Sequence, residues 1–551
     1  MLQRKSRNRG HQQQPEHSPL RQYKYTMHCN QTARYTFIEK LVYLFALLAM
    51  FSCTHFEKNS THQKTPDANI AKGKKLAAQY CQSCHILPDP SLLDSKTWEA
   101  GVLPGMGPRL GIFNHGFTEY PSSRYDKELD SNYYPASPVL SFEDWQYIID
   151  YYTAVSPDSL TAPERKFTVK KASDLFSIEK PARTAPPATC MVKIDTTVSP
   201  YQIVTADVLR KHIYHFNGSL VVTDSVQSAS AVVDVLINRQ TMTTCNIGIM
   251  SPNNGKHGSI GIVRVNENHL QANSNIVVDK LARPVQLNAA DFNQDGKVDL
   301  LVCEFGNLTG ALSWLENMGD GKFNRHVIRA MPGAMKTYIQ DVNHDGLPDI
   351  WALFAQGEEG IFLFINKGNG AFSQEEVIRF PPIYGSSYFE FADFNKDGQP
   401  DILYTCGDNA DYSPVLKPYH GLYVYLNNGT NHFKQAYFFP MHGCFKAMAR
   451  DFNRDGNTDI AAISFFADNV HHPEESFIYL DNKGNMNFEP YTIPGTAAGR
   501  WLTMDAGDID GDGKQDIILG NFAIAPATTP LAQTWKDGAP FIVLKNIMKK
   551  N

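Results

Sequence analysis

The stretch DFNQDGKVDLLV, residues 291–302, decides the fold because it comes back four times. DVNHDGLPDIWA begins at Asp341, DFNKDGQPDILY at Asp393, DFNRDGNTDIAA at Asp451 and DIDGDGKQDIIL at Asp508, at spacings of 50, 52, 58 and 57 residues. A period near 50 with strand-like flanks marks a propeller or a related repeat array. Each copy runs into an apolar stretch, then into LSWLENMGDGKF, LFINKGNGAF, YVYLNNGTNHF or IYLDNKGNMNF, which reads as a strand, an Asn/Gly turn and an outer strand. Each repeat thus supplies four antiparallel strands, a to d.

Two degenerate copies lie upstream. One uses CMVKID, YQIVTAD, HIYHFN and SLVVTDSV, the other SAVVDVLI, TTCNIGIM, SIGIVRV and SNIVV. With the five regular copies they predict seven blades; a six-blade reading would require one of them to be something else. These repeats resemble the FG-GAP or VCBS family, known from integrin-like β-propellers. The final repeat stops after FIVLKN without an outer strand, and the orphan KFTVKK at 166–171 is expected to complete it, removing the exposed edges of an open array.

In D-x-[DN]-x-D-G-x-x-D, alternate side chains of a tight loop converge on one centre, and hard oxygen donors in that number and flexibility suit Ca²⁺. The candidate ligands are Asp291, Asn293, Asp295 and Asp299 in the first loop and Asp341, Asn343, Asp345 and Asp349 in the second. The third offers Asp393, Asn395, Asp397 and Asp401, the fourth Asp451, Asn453, Asp455 and Asp459, and the fifth Asp508, Asp510, Asp512 and Asp516. An EF-hand is excluded, because Val302 stands at position 12 where a Glu is required. The plainer alternative is a set of metal-free Asp/Gly turns, opposed by the mutual repulsion of so many carboxyl groups. An a–b position puts all five loops on one face, with the c–d turns. The b–c and d–a connections then share the other face, where residues 406–421, 466–476 and 521–540 form long loops suited to binding. His471, His472 and Glu474 read as a solvated polar loop before they read as a transition-metal site.

Upstream, QYCQSCHILPDP at 79–90 places two cysteines and a histidine in C-x-x-C-H spacing. A zinc ribbon needs a second such pair, and no C-x-x-C follows Cys84. A thioredoxin-type pair needs a βαβ setting, whereas NIAKGKKLAAQY before the motif is helical, with Ile70, Gly73, Ala77 and Tyr80 on one face. Covalent haem satisfies all three residues: Cys81 and Cys84 as thioethers and His85 as iron ligand. Residues 67–155 resemble a small class I cytochrome c, with Trp98 and Met106 in KTWEAGVLPGMGPRLG and a closing helix in SFEDWQYIIDYY opened by Ser141 and Asp144. That resemblance makes Met106 the favoured sixth ligand over His115, a core-filling methionine being the alternative.

Residues 1–40 are basic, and the apolar run that follows ends at Cys53. It is too short for a stable membrane span and reads as an export signal, with a segment before Cys53 that resembles a bacterial lipoprotein box; Met27 offers an alternative start. Removal of residues 1–52 leaves 43 basic against 55 acidic residues, a surface unsuited to nucleic acid. Export also exposes the cysteines to an oxidising compartment. Cys190, Cys245, Cys303, Cys406 and Cys444 fall in the propeller; five is odd, and Cys303 and Cys406 read as small buried residues.

The expected organisation is multidomain: a lipoprotein-type signal (1–52, lipidation at Cys53), a linker (53–66), a small all-α cytochrome c-like domain (67–155), a linker (156–165) and an all-β seven-bladed propeller (166–551). The expected role is one-electron transfer at haem c in a bacterial cell envelope, membrane-held by the lipid, with the calcium-stabilised propeller docking a redox partner protein. Two alternatives stand beside it: an adhesion-type propeller binding glycan or protein, and a haem-linked dehydrogenase. No Ser-His-Asp or Cys-His nucleophile arrangement and no Gly-rich phosphate loop can be argued from spacing.

Overall fold

The computed structural model describes residues 65–549 except 164, 166, 183–186, 267–268, 272–274, 411–412, 414 and 525–528. The export signal and Cys53 lie outside the described residues. Among those described, no helix is long and apolar enough to cross a membrane.

Seven antiparallel sheets account for the repeats: 189–227, 232–281, 284–329, 334–379, 386–440, 444–492 and 501–546, called blades 1 to 7. The innermost strands touch in cyclic order, and Trp501–Gly507 of blade 7 returns to Thr189–Asp195 of blade 1, so the ring closes. In the five regular blades the second strands, such as Asp349–Phe354 and Asp401–Cys406, are buried at every residue because neighbouring blades cover both faces. The outer strands, such as Lys322–Arg329, are mostly exposed and correspondingly polar. Both degenerate copies form blades on the segments read from the sequence.

The closure differs from expectation by a few residues. Phe176–Glu179, not 166–171, pairs antiparallel with Phe541–Asn546 and completes blade 7. Phe176 decides this: it is 2% exposed and meets Phe452 and Tyr479 of blade 6 edge-on. The KFTVKK stretch instead runs along the outside, where Phe167 stacks on Phe439 and Lys170–Lys171 adds a short parallel edge to Phe488–Thr492 of blade 6. Its lysines and partial exposure suit a rim, whereas a fourth strand that seals a ring needs an anchor on the inner side.

Ahead of the ring, helices α1 (Asp67–Tyr80) and α2 (Phe142–Val155) pack against each other. Ser141 caps α2 as its spacing implies, its Oγ accepting the Asp144 N–H at 3.0 Å. Gly73 sits at the crossing: a Cβ there would lie 1.9 Å from the Tyr147 carbonyl oxygen, so only glycine lets the helices approach this closely. Ala77, Trp98, Trp145, Ile148, Ile149 and Tyr152 make the core between them. The indole of Trp98 donates to the Pro90 carbonyl at 2.8 Å, so neither its bulk nor its N–H is left unsatisfied.

This helical segment rests on the b–c and d–a face of the ring. Ile383 and Val415 of the propeller join its apolar core. Tyr419 donates its hydroxyl to the Leu92 carbonyl at 3.2 Å, and Asn254 Nδ2 donates to Asp126 at 2.8 Å. His257 Nε2 lies 2.8 Å from Glu128.

Candidate functional site

Helix α1 ends at Tyr80, and the next turn carries Cys81, Cys84 and His85. The Cys84 N–H reaches the Cys81 carbonyl at 3.4 Å, which puts both sulfurs on one turn, and both thiols are free rather than joined. Cys81 leans on the apolar core, and that burial pushes its thiol up to about 11, whereas Cys84 is exposed. His85 Nδ1 is 2.9 Å from the Ile86 carbonyl oxygen. A carbonyl only accepts, so Nδ1 carries the proton and Nε2 keeps its lone pair. Burial also holds this ring below the ordinary histidine range, favouring the neutral form that ligates metals.

Met106 lies within a continuous helical stretch that runs from Ser95 to Leu110, and it packs on the same core as Cys81 and Leu87. His115 lies on a two-residue hairpin, where its Nε2 is 2.6 Å from Gln146 Oε1. Its ring lies 6.5 Å from that of Tyr120 in that core, and its Nδ1 is buried without a partner among the described residues.

The five aspartate loops repeat one hydrogen-bond pattern. The first carboxylate accepts the N–H of the glycine, as Asp291 does from Gly296 and Asp341 from Gly346, each at 2.9 Å. Those glycines take φ near +83°, a left-handed turn that glycine enters without strain. The residue at position 4 is left-handed too: Gln294, His344, Lys396 and Arg454 have φ of 58° to 61°, and only the fifth loop spends a glycine, Gly511, there. Strain of about 1 kcal/mol at each such non-glycine position is the cost of turning the donors inward.

In the fifth loop, oxygens of Asp508, Asp510 and Asp516 lie within 4.8 Å of one another. Burial, with repulsion from Asp510 and Asp512, pushes the Asp516 carboxyl up to about 6. Lysines relieve part of this crowding: Lys297 pairs with Asp295 at 2.7 Å and Lys514 with Asp512 at 2.9 Å. The donor set is entirely oxygen, with the number and flexibility that fit Ca²⁺.

The last aspartate of each loop has a role that the spacing alone did not disclose. Asp349 accepts Val342 N–H at 2.9 Å and Asn366 N–H at 2.8 Å, and Asp401 likewise holds Phe394 and Asn427 at 2.9 Å each. It therefore ties the a–b loop to the c–d turn. Its partner is an asparagine at the end of every regular c strand: Asn317, Asn366, Asn427, Asn482 and Asn546. The recurrence of Asn in LENMG, INKG, LNNG, LDNKG and LKN was the available signal.

On the opposite face the long loops are partly engaged. The blade 5 loop carries Val415 and Tyr419 against the helical segment. Glu475 of the blade 6 loop is buried and held by Arg165, whose Nη2 donates to it at 3.0 Å. His471 and His472 each pair with one carboxylate, Asp468 and Glu474, rather than with each other's. On the a–b side instead, between blades 1 and 2, which lack the aspartate motif, a cavity of about 220 Å³ is lined by Asp195, Thr197, Arg239 and the buried His215.

Comparison with known proteins agrees with the ring. The model of an FG-GAP-like repeat matches residues 291–352, 341–404 and 451–519. The chain is thus a seven-bladed β-propeller carrying FG-GAP-like repeats. No curated protein matches it in sequence. Among solved structures it is similar to Saccharomyces cerevisiae Sqt1, at 7% identity and a TM-score of 0.42, over 69% of this chain and 100% of that one. It is also similar to BBS1N in complex with ARL6DN, at 11% identity and a TM-score of 0.40, over 69% and 100% of the two chains.

Proposed function

We propose that this chain is an exported c-type cytochrome whose haem turn is docked on a calcium-stabilised propeller, and that it passes single electrons to a partner protein of the cell envelope. The observation that carries the reading is the bond from His85 Nδ1 to the Ile86 carbonyl at 2.9 Å, which leaves Nε2 free beside two unpaired cysteines on one turn. A disulfide gives no reason for a histidine so oriented, and a zinc ribbon lacks its second ligand pair, because no C-x-x-C follows Cys84. When bound, the haem supplies a one-electron iron couple. Cys81 and Cys84 would hold it covalently, and His85 Nε2 and Met106 would ligate its iron. Ile383 and Val415 lend the propeller's apolar surface to the same core and keep water from it.

The test is denaturing electrophoresis of the protein matured with a c-type haem system. The haem is expected to migrate with the chain, and its loss from the band would end the cytochrome reading. Met106→Ala is expected to change the ferric spin state and lower the potential; an unchanged ferric spectrum would assign the sixth position elsewhere.

A further inference from the structure

We propose that the propeller supplies the cationic rim of the haem pocket: Arg379 and Arg329, together with Arg109 of the helical segment, receive the propionate carboxylates. This rests on the haem reading above, and it assigns to the ring a direct part in holding the cofactor.

Arg329 ends the outer strand of blade 3 and is only 8% exposed. Its guanidinium is set between the rings of Phe354 and Phe362, at 4.2 and 4.0 Å from their centroids. It pairs with Glu358, and Arg379 reaches the other oxygen of the same carboxylate at 3.2 Å while binding Glu376 at 2.8 Å. Burying a guanidinium is costly unless its donors are satisfied. Here they are not: Arg329 Nη1 and Arg379 Nε are buried without a partner among the described residues. Two guanidinium groups therefore share one carboxylate and keep donors in reserve.

The place of this cluster gives the reserve a use. Arg109 stands three residues beyond Met106 in the same helical stretch. Ile383, four residues beyond Arg379, packs on the core that Cys81, Leu87 and Met106 also touch. An apolar floor with a cationic edge matches a flat apolar group that carries two carboxylates on one side, and a planar guanidinium meets a carboxylate with two parallel bonds. Glu358 and Glu376 face the same region; with three arginines against these two carboxylates, one positive charge is left over.

The test uses the full-length haem-loaded protein and reads the midpoint potential by spectroelectrochemistry. Arg379→Gln removes a positive charge near the iron, which favours the ferric state, so the potential is expected to fall. Arg379→Lys keeps the charge and is expected to recover part of the shift. Arg109→Gln, on an exposed side chain, is expected to lower the potential without a change in thermal unfolding, which guards against a folding defect in the buried pair. Lys322→Gln, an equal charge change on the aspartate-loop face, is expected to leave the potential unaltered. Potentials of the Arg379 and Arg109 variants equal to that of the unmodified protein, with the haem still attached, would overturn this inference and leave the haem reading intact. A chain that attaches no haem would overturn both.

Discussion

Asp349 and Asn366 bind across the end of blade 4: the Asn366 N–H donates to Asp349 Oδ1 at 2.8 Å, and the carboxylate is completely buried. Asp345, four residues earlier in the same loop, is exposed. The two acids of one motif therefore divide into a pin and a candidate ligand. Asp349→Ala strands the N–H groups of Val342 and Asn366 and is expected to cost about 2–5 kcal/mol in urea unfolding with or without calcium. Asp345→Ala is expected to cost less than about 1 kcal/mol in chelator and to weaken stabilisation by added calcium. Equal losses in chelator would contradict the division.

Calcium bound only by the folded loops stabilises the ring by mass action, about 2.7 kcal/mol per site at a hundredfold excess over Kd. Chelation is expected to lower the propeller's melting transition while the haem absorbance survives. Superimposable melting curves with and without chelator would return the loops to metal-free turns.

Ring closure depends on Phe176 more than on the lysines before it. Phe176→Ala empties a site 5.7 Å from Tyr479 and 6.2 Å from Phe452 and is expected to cost about 3–5 kcal/mol. Lys170→Ala, which removes an exposed pair with Glu489, is expected to leave stability nearly unchanged. Thermal unfolding of the two variants side by side checks the order.

Lys446 lines the inner wall of the ring, donating to the Met504 carbonyl at 2.7 Å and lying 4.9 Å from the centre of the Tyr388 ring. Burial pushes its ammonium down to about 8. Between that value and the ordinary lysine range the unfolded chain binds the proton and the native chain does not, so stability rises with pH there. Below about pH 8 that contribution is lost, because the native chain must carry the buried charge as well. Lys446→Met is expected to flatten the increase in urea-unfolding stability between pH 7.5 and 9.5; an unchanged slope would place the titration elsewhere.

The repeat made the ring legible: DFNQDGKVDLLV and its four echoes fix where the loops fall, and strand-like runs such as HIYHFN and SIGIVRV were enough to recover blades 1 and 2. The closing strand was misplaced because KFTVKK and DLFSIE carry similar local patterns, and only the packing of Phe176 against blade 6 separates them. Ser141 and Gly73 were readable from local rules of capping and helix approach. The pairing of Asp349 with Asn366 was hidden because it joins two turns distant in sequence, and the arginine cluster at Arg329 because it forms only when blades 3 and 4 meet.

The most direct measurement is the mass of the tryptic peptide spanning residues 76–96, which holds Cys81, Cys84 and His85 between Lys75 and Lys96. From protein matured with a c-type haem system, the account predicts that this peptide carries the mass of one haem and has no thiol left to alkylate. A peptide that takes up two alkyl groups, or that runs two hydrogens light as a disulfide, would contradict it.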